Sequence, residues 1–230
     1  MANVNNCRHI PLSDTLNFRD LGGYPTADGK VTQYGVFFRS ACPNGLNVAD
    51  KALLKSLNIT TAVDLRGECG GAMQTGFITE GITVYHFPVG GDNPSNRVED
   101  CAQGYLNIAE SADIVGVFKT LANNTGAAVF HCSAGKDRTG VVAALLLSLA
   151  SVADEDIIAD YILSYAYYLT KLRQYFLCAE VPCDVLKPLP EHMEGFLKLF
   201  RAKYGTAQDY MLRLGVLDAD IQKLKHKLTK

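Results

Sequence analysis

The chain has no tryptophan and no surplus of either charge: 22 Lys and Arg stand against 24 Asp and Glu in 230 residues, a formal net charge of -2. Without a basic surplus or a basic run, general binding to nucleic acid or to an anionic membrane surface is not expected. Long hydrophobic runs are missing as well. The longest, Val141 to Ala150, is interrupted by Ser148 and is too short to span a bilayer, so no stable membrane insertion is expected. Met1 to Asn6 is polar and no apolar core follows before Pro11, unlike a secretory signal. There is no C-x-x-C pair. Cys7, Cys42, Cys69, Cys101, Cys132, Cys178 and Cys183 are scattered and odd in number, the usage of a reducing, cytoplasmic compartment rather than of a disulfide framework. Export by a route that needs no signal peptide would leave the same pattern. Cys178 and Cys183 lie close together but have no second ligand pair, so no metal centre is expected there.

What is present is an ordinary globular composition, 48% apolar and 20% charged, with no internal repeat, no low-complexity segment and no shift that forces a second domain. A single domain over residues 1–230 is expected, in an oligomeric state that the sequence leaves open, a monomer being compatible with it. Strand signals occur at Val31 to Arg39, Thr60 to Leu65, Ile82 to Phe87 and Ala127 to Phe130, the second and third reading as short buried strands rich in β-branched residues. Helical spacing covers Asn47 to Leu57, with Asn47 as N-cap, then Tyr105 to Leu121 and Val141 to Ala150. A helical tail follows from Asp154 to about Tyr168, continuing towards Leu177, then Glu191 to Tyr204 and short helices from Thr206 and Asp218. Strand–helix alternation predicts an α/β fold, a mostly parallel central sheet flanked by helices, with a helical C-terminal part. The Tyr-rich stretch around Tyr161, Tyr165, Tyr167, Tyr168 and Tyr175 reads as rings packed on the core.

The informative segment is His131-Cys132-Ser133-Ala134-Gly135-Lys136-Asp137-Arg138-Thr139-Gly140, between a buried strand and a helix. A loop in that position aims its free backbone N–H groups, and the positive end of the helix dipole, at whatever fills its concavity. Gly135 lets the backbone turn and approach closely. Five residues between Cys132 and Arg138 allow the chain to wrap a tetrahedral anion, with sulfur below and guanidinium to one side. The amides of Ser133, Ala134, Gly135 and Lys136 then bind phosphoryl oxygens, Arg138 holds two of them bidentately, and Thr139 can donate to the sulfur as it leaves. The implied reaction is in-line attack of Cys132 on phosphorus, a phosphocysteine intermediate, and attack by water, with no cofactor and no metal required. A bare Cys-x5-Arg-Ser/Thr pattern arises by chance in roughly 3% of chains of this composition. Requiring His before the cysteine and Gly three after it lowers that below roughly one in a thousand.

His131 to Gly140 resembles the signature loop of the protein tyrosine phosphatase superfamily. In its Ala-Gly-Lys-Asp-Arg-Thr-Gly form it is similar to the bacterial tyrosine and lipid phosphatases related to the mycobacterial PtpB and the Listeria lipid phosphatase. Asn17-Phe18-Arg19-Asp20-Leu21-Gly22-Gly23 resembles that family's N-terminal motif, Phe38-Arg39-Ser40 its next strand end and Val63-Asp64-Leu65-Arg66 the one after. The Asp160-Tyr161 segment also fits, and the likeness spans about Leu16 to Leu214. Tyr165 departs from it, and there is little room for the long lid insertion of some members.

The resemblance implies a cysteine-phosphatase fold and a general acid that protonates the leaving oxygen and then activates water. With no tryptophan, a Trp-Pro-Asp acid loop is absent. Asp137 and Asp64 are the leading candidates, with Asp92 behind them and Asp100 on the same connection. Each has a plainer reading, Asp64 as an ion pair with Arg66 or Arg39, Asp137 as a partner of Lys136 or Arg138. Arg19, Asp20, Arg39 and Arg66 are open between salt bridges and substrate contact, their strand-end placement favouring the site, and Arg39 is counted with the phosphate ligands. The expected activity is hydrolysis of phosphotyrosine, with phosphoserine or phosphothreonine as further substrates, in a phosphorylated protein partner. An inositol-phosphate or phosphoinositide phosphatase is the alternative, since Lys136 favours a second anionic group. Ser133, where many lipid phosphatases have another lysine, speaks against it. A non-catalytic phosphate-binding module fits less well, because both the nucleophile and the arginine are present.

Overall fold

The structure, a computed structural model, describes residues 7–13, 15–67, 76–90, 100–176 and 187–229, with side chains of 168–176 left out. Asp92, Cys69, Cys178 and Cys183 lie outside the described residues, as do Tyr168 and Tyr175 as side chains. Strands β1 (Arg19–Asp20), β2 (Phe37–Ala41), β3 (Ile59–Asp64), β4 (Thr83–His86) and β5 (Ala127–Cys132) form one sheet in the order β1-β2-β5-β3-β4. All neighbours are parallel except β1, which runs antiparallel to β2 at the edge. The sheet is therefore the mostly parallel α/β arrangement expected, with β5 central and its end flanked by those of β2 and β3. Ala41 sits opposite Cys132, and Ser40 and Asp64 opposite His131.

The two-residue period of β5 sorts its buried side chains between the faces of the sheet. Ala128, Phe130 and Cys132 join the larger core, with α4 (Asp137–Leu149) and the C-terminal helices. Ala127 and Val129 join the smaller one, with Phe18, Phe38, Phe77 and Leu54 of α1 (Val48–Ser56). Being apolar on nearly every face, α4 is buried almost all round. It packs against α2 (Cys101–Ala109) and against α5 (Asp154–Phe176). The outer helices are α3 (Ile114–Asn123), α6 (Pro190–Tyr204), α7 (Ala207–Arg213) and α8 (Asp218–Leu228).

Asn47 caps α1 as expected, accepting from Asp50 N–H at 2.9 Å while Asp50 returns a bond to the Asn47 backbone, a capping box worth about 1 kcal/mol. Several boundaries differ from the sequence expectation. The single helix over Tyr105 to Leu121 is two helices, with a turn around Ser111 whose Oγ accepts from Gly90 N–H at 3.1 Å. The strand expected at Val31 starts at Phe37, and Val31 makes only an isolated bridge with Pro25. Ile82 to Phe87 does form a strand, but β4 is a solvent-facing edge rather than a buried one. The helix after the signature loop starts at Asp137, not Val141, so Arg138 and Thr139 belong to its first turn.

Candidate active site

The signature loop begins where β5 ends and closes where α4 begins, at the carboxyl edge of the sheet, the position at which parallel α/β folds place their ligands. Gly135 makes the turn at φ +69°, and a Cβ there would lie 2.5 Å from the Ser40 carbonyl carbon. Both the dihedral and the space thus require glycine. The first N–H groups of α4 have no intrahelical acceptor and lie at the end of the helix where the loop closes.

Cys132 is a free thiol, 2% exposed, at the floor of this loop. Arg138 spans the mouth, its Nη2 donating to Ser133 Oγ at 3.4 Å. Thr139 is buried, and its Oγ1 has no hydrogen-bond partner among the described residues, so the donation to sulfur read from the sequence is not formed here.

Asp137 stands at the loop's outer side with 39% of its side chain exposed. The Tyr105 hydroxyl donates to its Oδ1 at 2.5 Å, and Lys136 Nζ lies 3.1 Å from the same oxygen. Burial, together with Asp137 and Tyr161, holds the Tyr105 phenol well above its ordinary pKa, so it remains a donor. Behind it the Tyr105 and Tyr161 hydroxyls are 2.6 Å apart. Lys136 itself is buried and turned towards Asp137, which removes the motive for assigning it to a second phosphate group.

Asp64, at the end of β3, is engaged differently. Arg66 grips it through Nε at 2.9 and 3.0 Å and Nη2 at 2.6 Å, and its own backbone N–H adds a bond at 3.0 Å. Burial would raise the Asp64 pKa, but those hydrogen bonds and the charges of His131 and Arg66 outweigh it and hold the carboxyl below its usual value. That favours a charged partner over a proton donor. Arg66, fixed by Asp64, has both Cys42 and Cys132 within its electrostatic reach. His131 is fully buried, its Nδ1 3.9 Å from Asp64 and its ring 5.3 Å from that of Phe77. Burial lowers its pKa to about 4, so it is neutral near pH 7.

Arg39, counted with the phosphate ligands on sequence grounds, is fully buried. Its guanidinium is directed to Asp160 and, at 2.7 Å from Nη2, to the Gly135 carbonyl, so it reaches the loop from behind. Arg19 faces Asp160 from the neighbouring strand at 2.9 Å, as the pairing of Arg19 with Arg39 across β1 and β2 requires. Burial would raise the Asp160 pKa, but the two guanidiniums overcome it and hold the carboxyl well below its usual range. Asp20 instead accepts the N–H groups of Gly22 and Gly35, both at 2.7 Å. Asn17 and Asp160 lie within the motifs named above, and neither they nor Tyr105 has a role that the sequence reveals. The only available signal was the density of polar groups around Asn17 to Asp20.

A cysteine, an arginine and a partly exposed carboxylate around a nest of amides invite comparison with known proteins. The sequence model described as the tyrosine phosphatase family matches residues 10–230. The chain belongs to that family. A Cupriavidus necator relative, named as a tyrosine-protein phosphatase, is 27% identical over 95% of this chain and 88% of its own length. A tyrosine-protein phosphatase of Nostoc commune is 34% identical over 49% of this chain and 42% of its own. The triple specificity protein phosphatase PtpB of Mycobacterium tuberculosis is 27% identical over 66% and 68%. The family membership agrees with the resemblance carried by the signature loop.

Proposed function

We propose that this chain hydrolyses phosphotyrosine in proteins through a phosphocysteine intermediate. The observation that carries this reading is the single turn from β5 into α4, with Cys132 at its floor, Arg138 across its mouth and Asp137 at its rim. The thiolate of Cys132 attacks phosphorus in line with the ester oxygen. Loop amides and Arg138 take up the charge on the three equatorial oxygens. The P–O bond to the leaving group breaks as Asp137 delivers its proton to that oxygen, giving the dephosphorylated tyrosine side chain and an S–P bond. Asp137, now a carboxylate, removes a proton from the water that attacks phosphorus, and the sulfur departs with the electron pair of the S–P bond.

Asp64 acts in this scheme through Arg66, which it orients, and Tyr105 and Lys136 hold Asp137. The partner is a phosphorylated protein, and none of the described helices is long and apolar enough to cross a membrane. Hydrolysis of p-nitrophenyl phosphate by the wild type and by Cys132→Ser tests the reading. The expected result is loss of turnover in the variant by three orders of magnitude or more, with binding of orthovanadate or tungstate by the wild type. Equal activity in the two proteins overturns it.

A further inference from the structure

In a planar trans peptide the C=O and the N–H point in opposite directions. A loop that turns its amides inward therefore turns the carbonyls of the same peptides outward, and buried carbonyls need donors. Three successive carbonyls of this loop are met from outside. Ser133 O accepts from the Cys42 backbone N–H at 3.3 Å. Ala134 O accepts from Asn17 Nδ2 at 3.1 Å. Gly135 O accepts from Asn17 Nδ2 at 2.9 Å and from Arg39 Nη2 at 2.7 Å. The amides sharing those peptides, of Ala134, Gly135 and Lys136, are the ones aimed into the concavity.

Asn17 is built for that task at some expense to its own backbone. It is 2% exposed and adopts φ +61°, in the left-handed region that a non-glycine residue enters only where its surroundings hold it. Its amide has one consistent orientation. Arg19 Nη1 can only donate and contacts Asn17 Oδ1, while the two loop carbonyls can only accept and face Nδ2. Arg19 and Arg39 are in turn both fixed by Asp160, so a buried charge cluster sets the position of both donors.

We infer that Asn17, seconded by Arg39, is a positioning residue for the phosphoryl-binding amides: it touches no substrate and sets the aim of the Gly135 and Lys136 N–H groups. This rests on the phosphatase reading of the loop. Asn17→Gly isolates the side-chain amide, because glycine adopts φ +61° without strain. Asn17→Asp keeps the shape and the acceptor for Arg19 but sets an oxygen against two carbonyls. The probe is tungstate, titrated calorimetrically into the whole chain at a temperature where circular dichroism shows each variant folded.

Tungstate affinity is expected to fall at least tenfold in both variants, and kcat for p-nitrophenyl phosphate by ten- to a hundredfold with a smaller change in KM. Arg39→Lys, which keeps a positive charge near Asp160 but not the fork, is expected to show a smaller loss. If Asn17→Gly does not fold, Asn17→Asp carries the same comparison. Affinities within twofold of the wild type in a folded Asn17 variant overturn the inference. A wild type that binds no tungstate overturns the phosphatase reading instead.

Discussion

Asp137 and Asp64 show how neighbours place one residue type in two different settings. Asp64 is 6% exposed and spends both oxygens on Arg66, whereas Asp137 keeps an open face beside the loop and is steadied by one phenol and one ammonium. Asp137→Asn is therefore expected to lower kcat/KM for phenyl phosphate or phosphotyrosine by about a hundredfold or more. The loss should be much smaller for p-nitrophenyl phosphate, whose leaving group needs little protonation. A series of aryl phosphates of graded leaving-group pKa checks this, and equal losses across the series would move the acid elsewhere. Asp64→Asn, by contrast, is expected to cost activity uniformly across the series, since it frees Arg66 rather than removing a proton donor. At Gly135 a side chain is excluded twice, by φ and by the Ser40 backbone. Gly135→Ala is expected to lose about 1–2 kcal/mol from the dihedral alone and more from the clash, visible in a denaturant titration and in weakened tungstate binding.

At the scale of elements, the strand–loop–helix unit was legible because its signals are local. A short apolar run leads into Cys132, a glycine marks the turn, and an apolar helix follows. The apolar periodicity begins at Val141, four residues after the helix does, because Asp137, Arg138 and Thr139 are polar although they already occupy its first turn. The break between α2 and α3 left no mark for a different reason. Apolar spacing runs on through the turn, and no proline or glycine stands between Glu110 and Asp113. In β4, Val84 and Tyr85 suit a pleated surface whether or not it is covered, so their residue types did not reveal an exposed edge. The two-residue β1 was invisible because its existence depends on pairing with β2.

For the whole molecule, what escaped the sequence is what forms only when distant segments meet. Asp160 lies 141 positions from Arg19 and 121 from Arg39, and both pairs are fully buried. No spacing rule links them, although each sits in a motif of its own. Removing the shared anion strands two guanidiniums, so Asp160→Asn is expected to destabilise the fold by about 3–5 kcal/mol in a urea titration. Acid acts on the same interior through His131. Its folded pKa of about 4 lies below the ordinary 6.5, so the unfolded chain binds the proton more readily. The corresponding stability is fully present above pH 6.5 and is lost as the pH falls towards about 4. Urea midpoints measured across that interval are expected to decline for the wild type and to decline less for His131→Asn.

The most direct measurement is a rapid quench of the enzyme during turnover of a phosphotyrosine peptide, followed by mass analysis of the digested chain. A phosphoryl group on the peptide containing Cys132, absent in Cys132→Ser, is the expected result. With p-nitrophenyl phosphate, whose leaving group needs little protonation, it is expected to accumulate when Asp137 is replaced by Asn. Undiminished turnover with no phosphoryl group on that sulfur at any quench time would contradict the account.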